Sequence, residues 1–84
     1  AEPENYDDHR RSLAAGTPQT NASVATAFCD ALLAPTPGEI TWAVNKDRLA
    51  GGYAVSDAHV KDAMRFAFRA LKLVVEPSGA TALA

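Results

Sequence analysis

The chain has 84 residues, enough for one small domain, and 48% of them are hydrophobic, which is typical of a folded rather than a disordered protein. Its net charge of -2 gives no electrostatic reason to expect nucleic acid or an anionic membrane as a partner. The single cysteine excludes an internal disulfide and a paired-cysteine metal site. The sequence also has no apolar run of ~20 residues and no signal-peptide pattern, so we expect a soluble, cytoplasmic protein.

The first 35 residues predict one short helix followed by a loop. Asp7 or Asp8 is a typical N-cap, the helix runs through Leu13, and Gly16 stops it. The stretch 17–35 contains small and β-branched residues without a clear period. We interpret it as a loop with a short extended or helical piece around residues 27–33.

A second helix and a short strand are predicted next. Thr36 and Glu39 have the spacing of a capping box, Pro37 suits the first helical position, and the glycine pair at 51–52 ends the helix. Ile40, Ala43 and Val44 form its apolar stripe. Residues 53–55 then predict a strand.

The last third predicts a long amphipathic helix. Ser56 is its N-cap, and Pro77 ends it, since the residue before a proline avoids the helical region. A further helix opens at Gly79. The apolar face of the long helix continues through Val60, Ala63, Met64, Ala67, Leu71, Val74 and Val75, and we expect the Met and Phe residues in the core. Helices alternating with few strands indicate an α/β class, mostly helical, in which most of the sheet lies outside this piece.

Three stretches contain candidate site residues. Glu2 and Asp8 flank a bent loop that could supply two carboxylates and a backbone carbonyl to a hard divalent cation, although an acidic loop that caps a helix explains the same residues. Asp30 lies among apolar residues, as either a helix N-cap or a functional carboxylate. Glu76 precedes a kink, which is either a helix–helix corner or the edge of a cleft. Ser78, within that kink, could cap the final helix.

The remaining reactive residue types predict no catalytic set. Cys29 is interpreted as a buried small residue, and both histidines, His9 and His59, as surface residues. The three lysines, Lys46, Lys61 and Lys72, lie on polar helical faces. The sequence has no Gly-rich phosphate loop and no GxSxG or HExxH motif.

The stretches "AEPENYDD", "CDALLAPTPGEITW" and "AVSDAHVKDAMRFAFRALKLVVEPSGA", in this order, resemble the pyridoxal-phosphate-dependent threonine and serine dehydratases and serine racemases. The resemblance covers essentially the whole chain. It implies the tryptophan-synthase-β-like fold, fold type II. It also implies that residues 1–84 are a single, incomplete, interior segment of the large cofactor-binding domain, cut at both ends.

The resemblance implies a role for six residues. Carboxylates of Glu2 and Asp8 and the carbonyl of Tyr6 would hold Mg²⁺ or Ca²⁺. Asp30 would line the substrate side of pyridoxal 5'-phosphate. The two cofactor-binding positions would be Ala31, where a glycine is usual beside the ring, and Glu76. Nothing is transferred to residues 16–27, and no catalytic residue is expected, because the family's Schiff-base lysine and phosphate loop precede the counterpart of Ala1.

The activity implied for the parent protein is elimination of the β-hydroxyl from a small hydroxy amino acid, which gives a 2-oxo acid and ammonia. Racemisation of serine and hydroxyaspartate ammonia-lyase activity are alternatives within the family, and the parent is expected to be a homo-oligomer. The isolated segment is expected to be inactive. A different class of function is also open, in which the chain is a small α-rich interaction module that docks through its amphipathic helix.

Overall fold

The computed structural model describes residues 1–22 and 27–84 of the chain. The elements in these residues are β1 (Glu2–Pro3), α1 (Asp8–Ala15), α2 (Glu39–Asn45), β2 (Ala54–Val55), α3 (Asp57–Phe66), a π-helical segment (Ala67–Leu71) and α4 (Pro77–Ala80). The expected class, mostly helical α/β with few short strands, is confirmed. None of the helices described is long and apolar enough to span a membrane.

Helix α1 follows the sequence prediction closely. Asp7 occupies its N-cap position, and Gly16 ends it in the left-handed conformation with φ 73°. A residue with a Cβ is disfavoured at that φ, which explains why the helix stops at a glycine.

A small parallel sheet joins the start of the chain to its middle. Glu2 pairs with Ala54 and Pro3 with Val55, and the Glu2 N–H donates to the Tyr53 carbonyl at 2.8 Å. The predicted strand 53–55 is therefore present as β2. Strand β1 was not predicted, because two residues show no alternation and their partner is distant in sequence.

Helix α2 is shorter than predicted, and the predicted capping box is wrong. The N-cap position is occupied by Gly38, so no side chain caps the helix. The Thr36 hydroxyl instead donates to the Gln19 carbonyl at 3.1 Å. The helix ends at Asn45, well before the glycine pair. Gly52 has another role, since a Cβ there would lie 2.8 Å from Cα of Arg10. A glycine lets the chain entering β2 pass directly against α1.

Helix α3 begins as predicted, with the Ser56 hydroxyl accepting from the His59 N–H at 3.2 Å. It does not continue to Val75, and Pro77 does not end it. The backbone widens into the π-helical segment, and Lys72 ends that segment with φ 57°. Pro77 instead starts α4, where its missing N–H is tolerated. Val74, predicted on the apolar face, is 89% exposed.

The core is built mainly from small residues of β2, α3 and α4, together with Cys29 from the segment between α1 and α2. Its buried members are Cys29, Val55, Val60, Ala63 and Ala80, and Phe28, Met64 and Val75 pack against them. The expectation that every phenylalanine is in the core is wrong, because Phe66 and Phe68 are exposed where the helix changes its pitch. The predicted piece at 27–33 is a turn without helix or strand, and residues 23–26 of the predicted loop lie outside the described residues.

Candidate functional site

Two regions hold the predicted site residues. The first is the acidic loop, which we define as residues 2–9. A β-turn reverses the chain after β1, with the Tyr6 N–H donating to the Pro3 carbonyl at 3.0 Å and Asn5 at φ 71°. Asparagine tolerates this left-handed conformation better than other residues with a side chain. The turn brings the Glu2 side chain back to the first turn of α1.

Glu2 caps helix α1 from outside the helix. Its Oε1 accepts from the His9 N–H at 3.0 Å and its Oε2 accepts from the Arg10 N–H at 2.8 Å. The interpretation of an acidic loop that caps a helix is therefore correct in kind, but the acceptor is Glu2 rather than Asp7 or Asp8. Each carboxylate oxygen has two lone pairs, so each retains capacity for a further ligand.

Asp7 is bound by two arginines of α1. Arg10 Nε donates to Asp7 Oδ2 at 2.8 Å and Arg11 Nε to Asp7 Oδ1 at 3.2 Å. Burial alone would raise the pKa of Asp7, but the hydrogen bonds from Arg10 and Arg11 outweigh it and hold the pKa below its ordinary value. The charge of Asp7 is thus neutralised within the helix.

Asp8 is tied to a loop residue that the sequence did not reveal. The Asn21 amide donates to Asp8 Oδ1 at 2.9 Å and to the Ala34 carbonyl at 2.8 Å. Asn21 is itself buried, and its N–H donates to the Pro35 carbonyl. A single asparagine in a polar loop has no distinguishing pattern, so no sequence signal could have selected it.

The acidic loop brings together the three side chains Glu2, Asp8 and His9, whose donor atoms lie within 4.8 Å of one another. Two donors that each lie about 2.0–2.4 Å from one ion are at most ~4.8 Å apart, so these three side chains could hold a single metal ion. His9 was expected on the surface, but it is half-buried, and its Nε2 is buried without a partner in the part of the chain described here. Tyr6, the predicted carbonyl ligand, is a buried residue of the same loop.

The second region is the Asp30 turn, which we define as residues 29–32. The Leu32 N–H donates to the Cys29 carbonyl at 3.1 Å, which places Asp30 and Ala31 at the tip. Asp30 is therefore not a helix N-cap, since α2 starts only at Glu39. The Ala31 N–H donates to the Ser78 hydroxyl at 3.0 Å, so Ser78 holds this turn instead of capping the final helix.

A second contact of the Asp30 turn lies in the core. Cys29 Sγ lies 3.5 Å from Thr81 Oγ1, and the Thr81 hydroxyl donates to the Pro77 carbonyl at 3.3 Å. In the Cys29–Thr81 contact either the thiol or the hydroxyl can be the donor. The predicted interpretation of Cys29 as a buried small residue is confirmed, with 0% exposure. The Asp30 turn is thereby fixed to α4 through Ser78 and to the C-cap of α4 through Thr81.

The predicted residues Asp30, Ala31 and Glu76 are all exposed at this junction. Glu76 is the N-cap of α4 and makes no side-chain cap bond. Two exposed carboxylates would repel the phosphate of pyridoxal phosphate but can accept hydrogen bonds from hydroxyl and ammonium groups. These acceptor groups could therefore face the ring and substrate side of the cofactor, whereas they do not suit its phosphate.

Of the three lysines, which were expected on polar helical faces, Lys61 lies within α3, whereas Lys46 and Lys72 are the C-caps of α2 and of the π-helical segment. Lys46 and Lys72 are exposed, and Lys72 Nζ donates to the Arg69 carbonyl at 2.7 Å. Lys61 Nζ lies 4.9 Å from the centroid of the Phe28 ring, in a cation–π contact. His59 is exposed on α3, as expected.

Comparison with known proteins gives consistent matches. The family model described as "Pyridoxal-phosphate dependent enzyme" matches residues 1–84. The chain is 39% identical to β-hydroxyaspartate dehydratase of Paracoccus denitrificans (strain Pd 1222), over 100% of this chain and 26% of that protein. It is 42% identical to serine racemase of Oryza sativa subsp. indica, over 100% of this chain and 24% of that protein.

A solved structure, the threonine deaminase of T.th., superposes with a TM-score of 0.90 and 35% sequence identity, covering 98% of this chain and 28% of that chain. The chain thus spans about a quarter of the length of the relatives it matches. At this similarity the fold is that of the corresponding part of a fold type II pyridoxal-phosphate enzyme, which confirms the expected fold class.

Proposed function

The chain belongs to the family of pyridoxal-phosphate dependent enzymes, and from that premise we propose that it is part of an ammonia-lyase acting on a small hydroxy amino acid. The reaction eliminates the β-hydroxyl and gives a 2-oxo acid and ammonia. The relatives named a dehydratase and a deaminase support this reaction class. Residues 1–84 would form an incomplete segment of the large cofactor-binding domain and would be inactive alone.

One observation supports this function most strongly, namely the joining of two distant motifs. The hydrogen bond from the Ala31 N–H to Ser78 spans 47 residues of sequence. It places the exposed carboxylate of Asp30 beside the segment that starts at Glu76. Exposed carboxylates and small side chains at this junction would suit a flat ring and an amino acid bound next to it.

Pyridoxal phosphate, when bound, supplies an electron sink that stabilises negative charge at the α-carbon. Asp30 would line the substrate side and accept a hydrogen bond from the amino-acid substrate. Ala31 would pack its methyl group beside the ring, and Glu76 would face the cofactor. Ser78 would keep the Asp30 turn in place, because its hydrogen bond from the Ala31 N–H restrains the backbone of the turn.

The acidic loop would hold a divalent cation that stiffens this part of the domain. Its ligands would be the carboxylates of Glu2 and Asp8 and the carbonyl of Tyr6. Oxygen donors alone favour Mg²⁺ or Ca²⁺. The fit of Glu2 and Asp8 to one ion supports this assignment.

Serine racemisation is the second candidate, and the 42% identity to a plant serine racemase favours it specifically. A match to an enzyme family along the whole chain favours either reaction over a non-enzymatic interaction module. A homo-oligomeric parent stays a prediction.

The test is a substrate panel with the whole purified protein loaded with pyridoxal phosphate. Threonine, serine and threo-3-hydroxyaspartate are supplied separately, and 2-oxo acid, ammonia and the chirality of the remaining amino acid are measured. The proposal predicts equal amounts of 2-oxo acid and ammonia from at least one substrate. Inversion without 2-oxo acid would indicate racemisation instead. No reaction, or turnover by the isolated 84-residue segment, would overturn the proposal.

A further inference from the structure

The acidic loop contains a nitrogen donor beside its carboxylates. We infer that His9 Nδ1 is a ligand of the cation held by Glu2 and Asp8, and that the site therefore prefers a transition-metal ion such as Mn²⁺ or Co²⁺ over Ca²⁺ and Mg²⁺. This inference rests on the metal site of the proposed function but does not depend on which amino acid is the substrate.

The geometry of His9 is that of a shared ligand rather than of a hydrogen bond. Its Nδ1 lies 3.7 Å from Glu2 Oε1 and 3.7 Å from Asp8 Oδ2. That distance is too long for a hydrogen bond to either oxygen. It lies within the ~3–4.6 Å that separates two donors of the same ion when each metal–ligand distance is about 2.1–2.3 Å.

The charges around the cluster favour a bound cation. The side chains of Asp8 and Glu2 are only 5% and 19% exposed. Within residues 1–22 and 27–84, neither carboxylate pairs with a lysine or an arginine. Their hydrogen bonds come from neutral donors, two backbone N–H groups for Glu2 and the Asn21 amide for Asp8. Among the described residues, the ionisable nitrogen beside both carboxylates is His9 Nδ1, and a divalent ion bound by all three side chains would neutralise the two largely buried charges.

The neighbouring Asp7, unlike Glu2 and Asp8, is neutralised by arginine side chains. Both arginines of α1, Arg10 and Arg11, turn to Asp7 and not to the cluster. The loop therefore separates a carboxylate neutralised by protein side chains from two carboxylates left for an ion.

The two nitrogens of the His9 ring have different surroundings. Nδ1 lies between the two carboxylates, whereas Nε2 is buried and has no partner in the described part of the chain. At 3.7 Å, Nδ1 makes no hydrogen bond to either oxygen, so its lone pair is available to a metal ion bound between them.

The added nitrogen changes which ion the site selects. Ca²⁺ and Mg²⁺ prefer oxygen ligands, whereas imidazole favours transition metals, with affinity rising from Mn²⁺ to Co²⁺ in the Irving–Williams order. Two carboxylates, a carbonyl and one imidazole leave room for water in a six-coordinate site. A ligand set of this kind suits Mn²⁺ and Co²⁺ better than the oxygen-only set does.

The experiment uses the whole purified protein, stripped of metal with a chelator and then loaded with MnCl₂, CoCl₂ or CaCl₂. Electron spin echo envelope modulation of the Mn²⁺ form is expected to show coupling to a directly bound imidazole nitrogen. In His9→Gln that coupling is lost, the Co²⁺ affinity falls at least about tenfold, and the Ca²⁺ affinity stays within about twofold. The matched control is His59→Gln, which replaces an exposed histidine of α3 and keeps both the coupling and the affinities.

Two results would overturn the inference. One is wild-type protein that binds Mn²⁺ without nitrogen coupling, a measurement that requires no variant to fold. The other is an equal fall in Co²⁺ and Ca²⁺ affinity in His9→Gln, which would assign His9 a structural role only. Nitrogen coupling in a protein without lyase or racemase activity would support this inference and overturn the proposed function. Lyase activity without nitrogen coupling would support the proposed function and overturn this inference.

Discussion

The two ends of the molecule are held together in different ways. In the acidic end, residues 2–21, the side-chain hydrogen bonds join polar groups close in sequence, and the Asn21–Asp8 bond spans only 13 residues. In the apolar end, which comprises the Asp30 turn, α3 and α4, the Ala31–Ser78 hydrogen bond spans 47 residues and the Cys29–Thr81 contact spans 52. The side chains of the acidic site are thus joined by local hydrogen bonds, with backbone bonds from Glu2 and Glu4 tying the loop to β2, whereas the side-chain contacts that fix the Asp30 turn are both long-range.

The two ends also differ in the kind of interaction that positions their carboxylates. The acidic end contains carboxylates in several roles, with Glu2 capping a helix and Asp7 paired with arginine. The apolar end positions its exposed carboxylates through buried residues that carry no charge, such as Ala80 and Cys29. Mutations should therefore affect the two ends through different free-energy terms.

The largest expected effect is in the apolar end. Val60 is 0% exposed, and Val60→Ala should lower the free energy of unfolding by about 2–3 kcal/mol, since it removes buried methyl groups and leaves a cavity. Denaturant unfolding of the whole purified protein measures it. A loss below about 0.5 kcal/mol would mean that the core defined here does not stabilise the domain.

The acidic end should respond to pH as well as to mutation. Asp7→Asn removes the charged hydrogen bonds to Arg10 and Arg11 and should cost about 1–2 kcal/mol at pH 7. Because the folded-state pKa of Asp7 is lowered, its contribution is complete above the unfolded value of about 3.9 and is lost as the pH falls through the folded value. The stability difference between wild type and variant should therefore start to shrink below about pH 4 and disappear only below the lowered folded-state pKa of Asp7. A difference that stays constant well below about pH 4 would contradict the ion-pair account.

Ser78→Ala is expected to have a small effect on stability and a larger one on the site. The hydrogen bond from the Ala31 N–H is exposed, so its loss should cost only about 0.5–1 kcal/mol. The Asp30 turn would lose its anchor, and pyridoxal phosphate should dissociate severalfold faster from the whole protein, as followed by cofactor absorbance. Ser56→Ala, which removes a helix cap at about the same cost, is the control and should leave cofactor release unchanged.

The smallest effect is expected on the solvent-exposed face of α3. Asp62 and Arg65 form an ion pair in which both side chains are mostly exposed. Asp62→Ala should change the free energy of unfolding by less than about 0.5 kcal/mol, and raising the salt concentration should reduce even that. A loss comparable to that of Val60→Ala would remove the distinction between core and surface contacts on this helix.

Sequence reasoning succeeded where local signals decide the structure. The glycine at 16 and the cap at Ser56 are set by backbone conformation and by one hydrogen bond within the helix. It failed where a distant partner competes. Thr36 had the spacing of a capping box, but its hydroxyl reaches the Gln19 carbonyl instead. The helix that was expected to reach Val75 stops at a left-handed Lys72, which its amphipathic pattern did not reveal.

The sites divide in the same way. Glu2 and Asp8 were candidates from their spacing in one loop and were assigned to a cation through resemblance. The structure brings them together with His9, which was wrongly expected on the surface. Asp30 and Glu76 were assigned through resemblance, and no pattern in the residues themselves predicted the Ala31–Ser78 bond that joins their segments. Asn21 was missed because its role depends on its position between α1 and the loop before α2.

The most direct test of the central claim, that the Asp30 turn and the segment from Glu76 line the cofactor and substrate, is the rate of 2-oxo acid release by Asp30→Asn. It is measured on the whole protein loaded with pyridoxal phosphate, with Asp47→Asn, an exposed carboxylate after α2, as the control. We predict a kcat/KM at least about tenfold lower for Asp30→Asn, a loss of ~1.4 kcal/mol of transition-state stabilisation, and no change for Asp47→Asn. Equal rates for Asp30→Asn and wild type would contradict the claim.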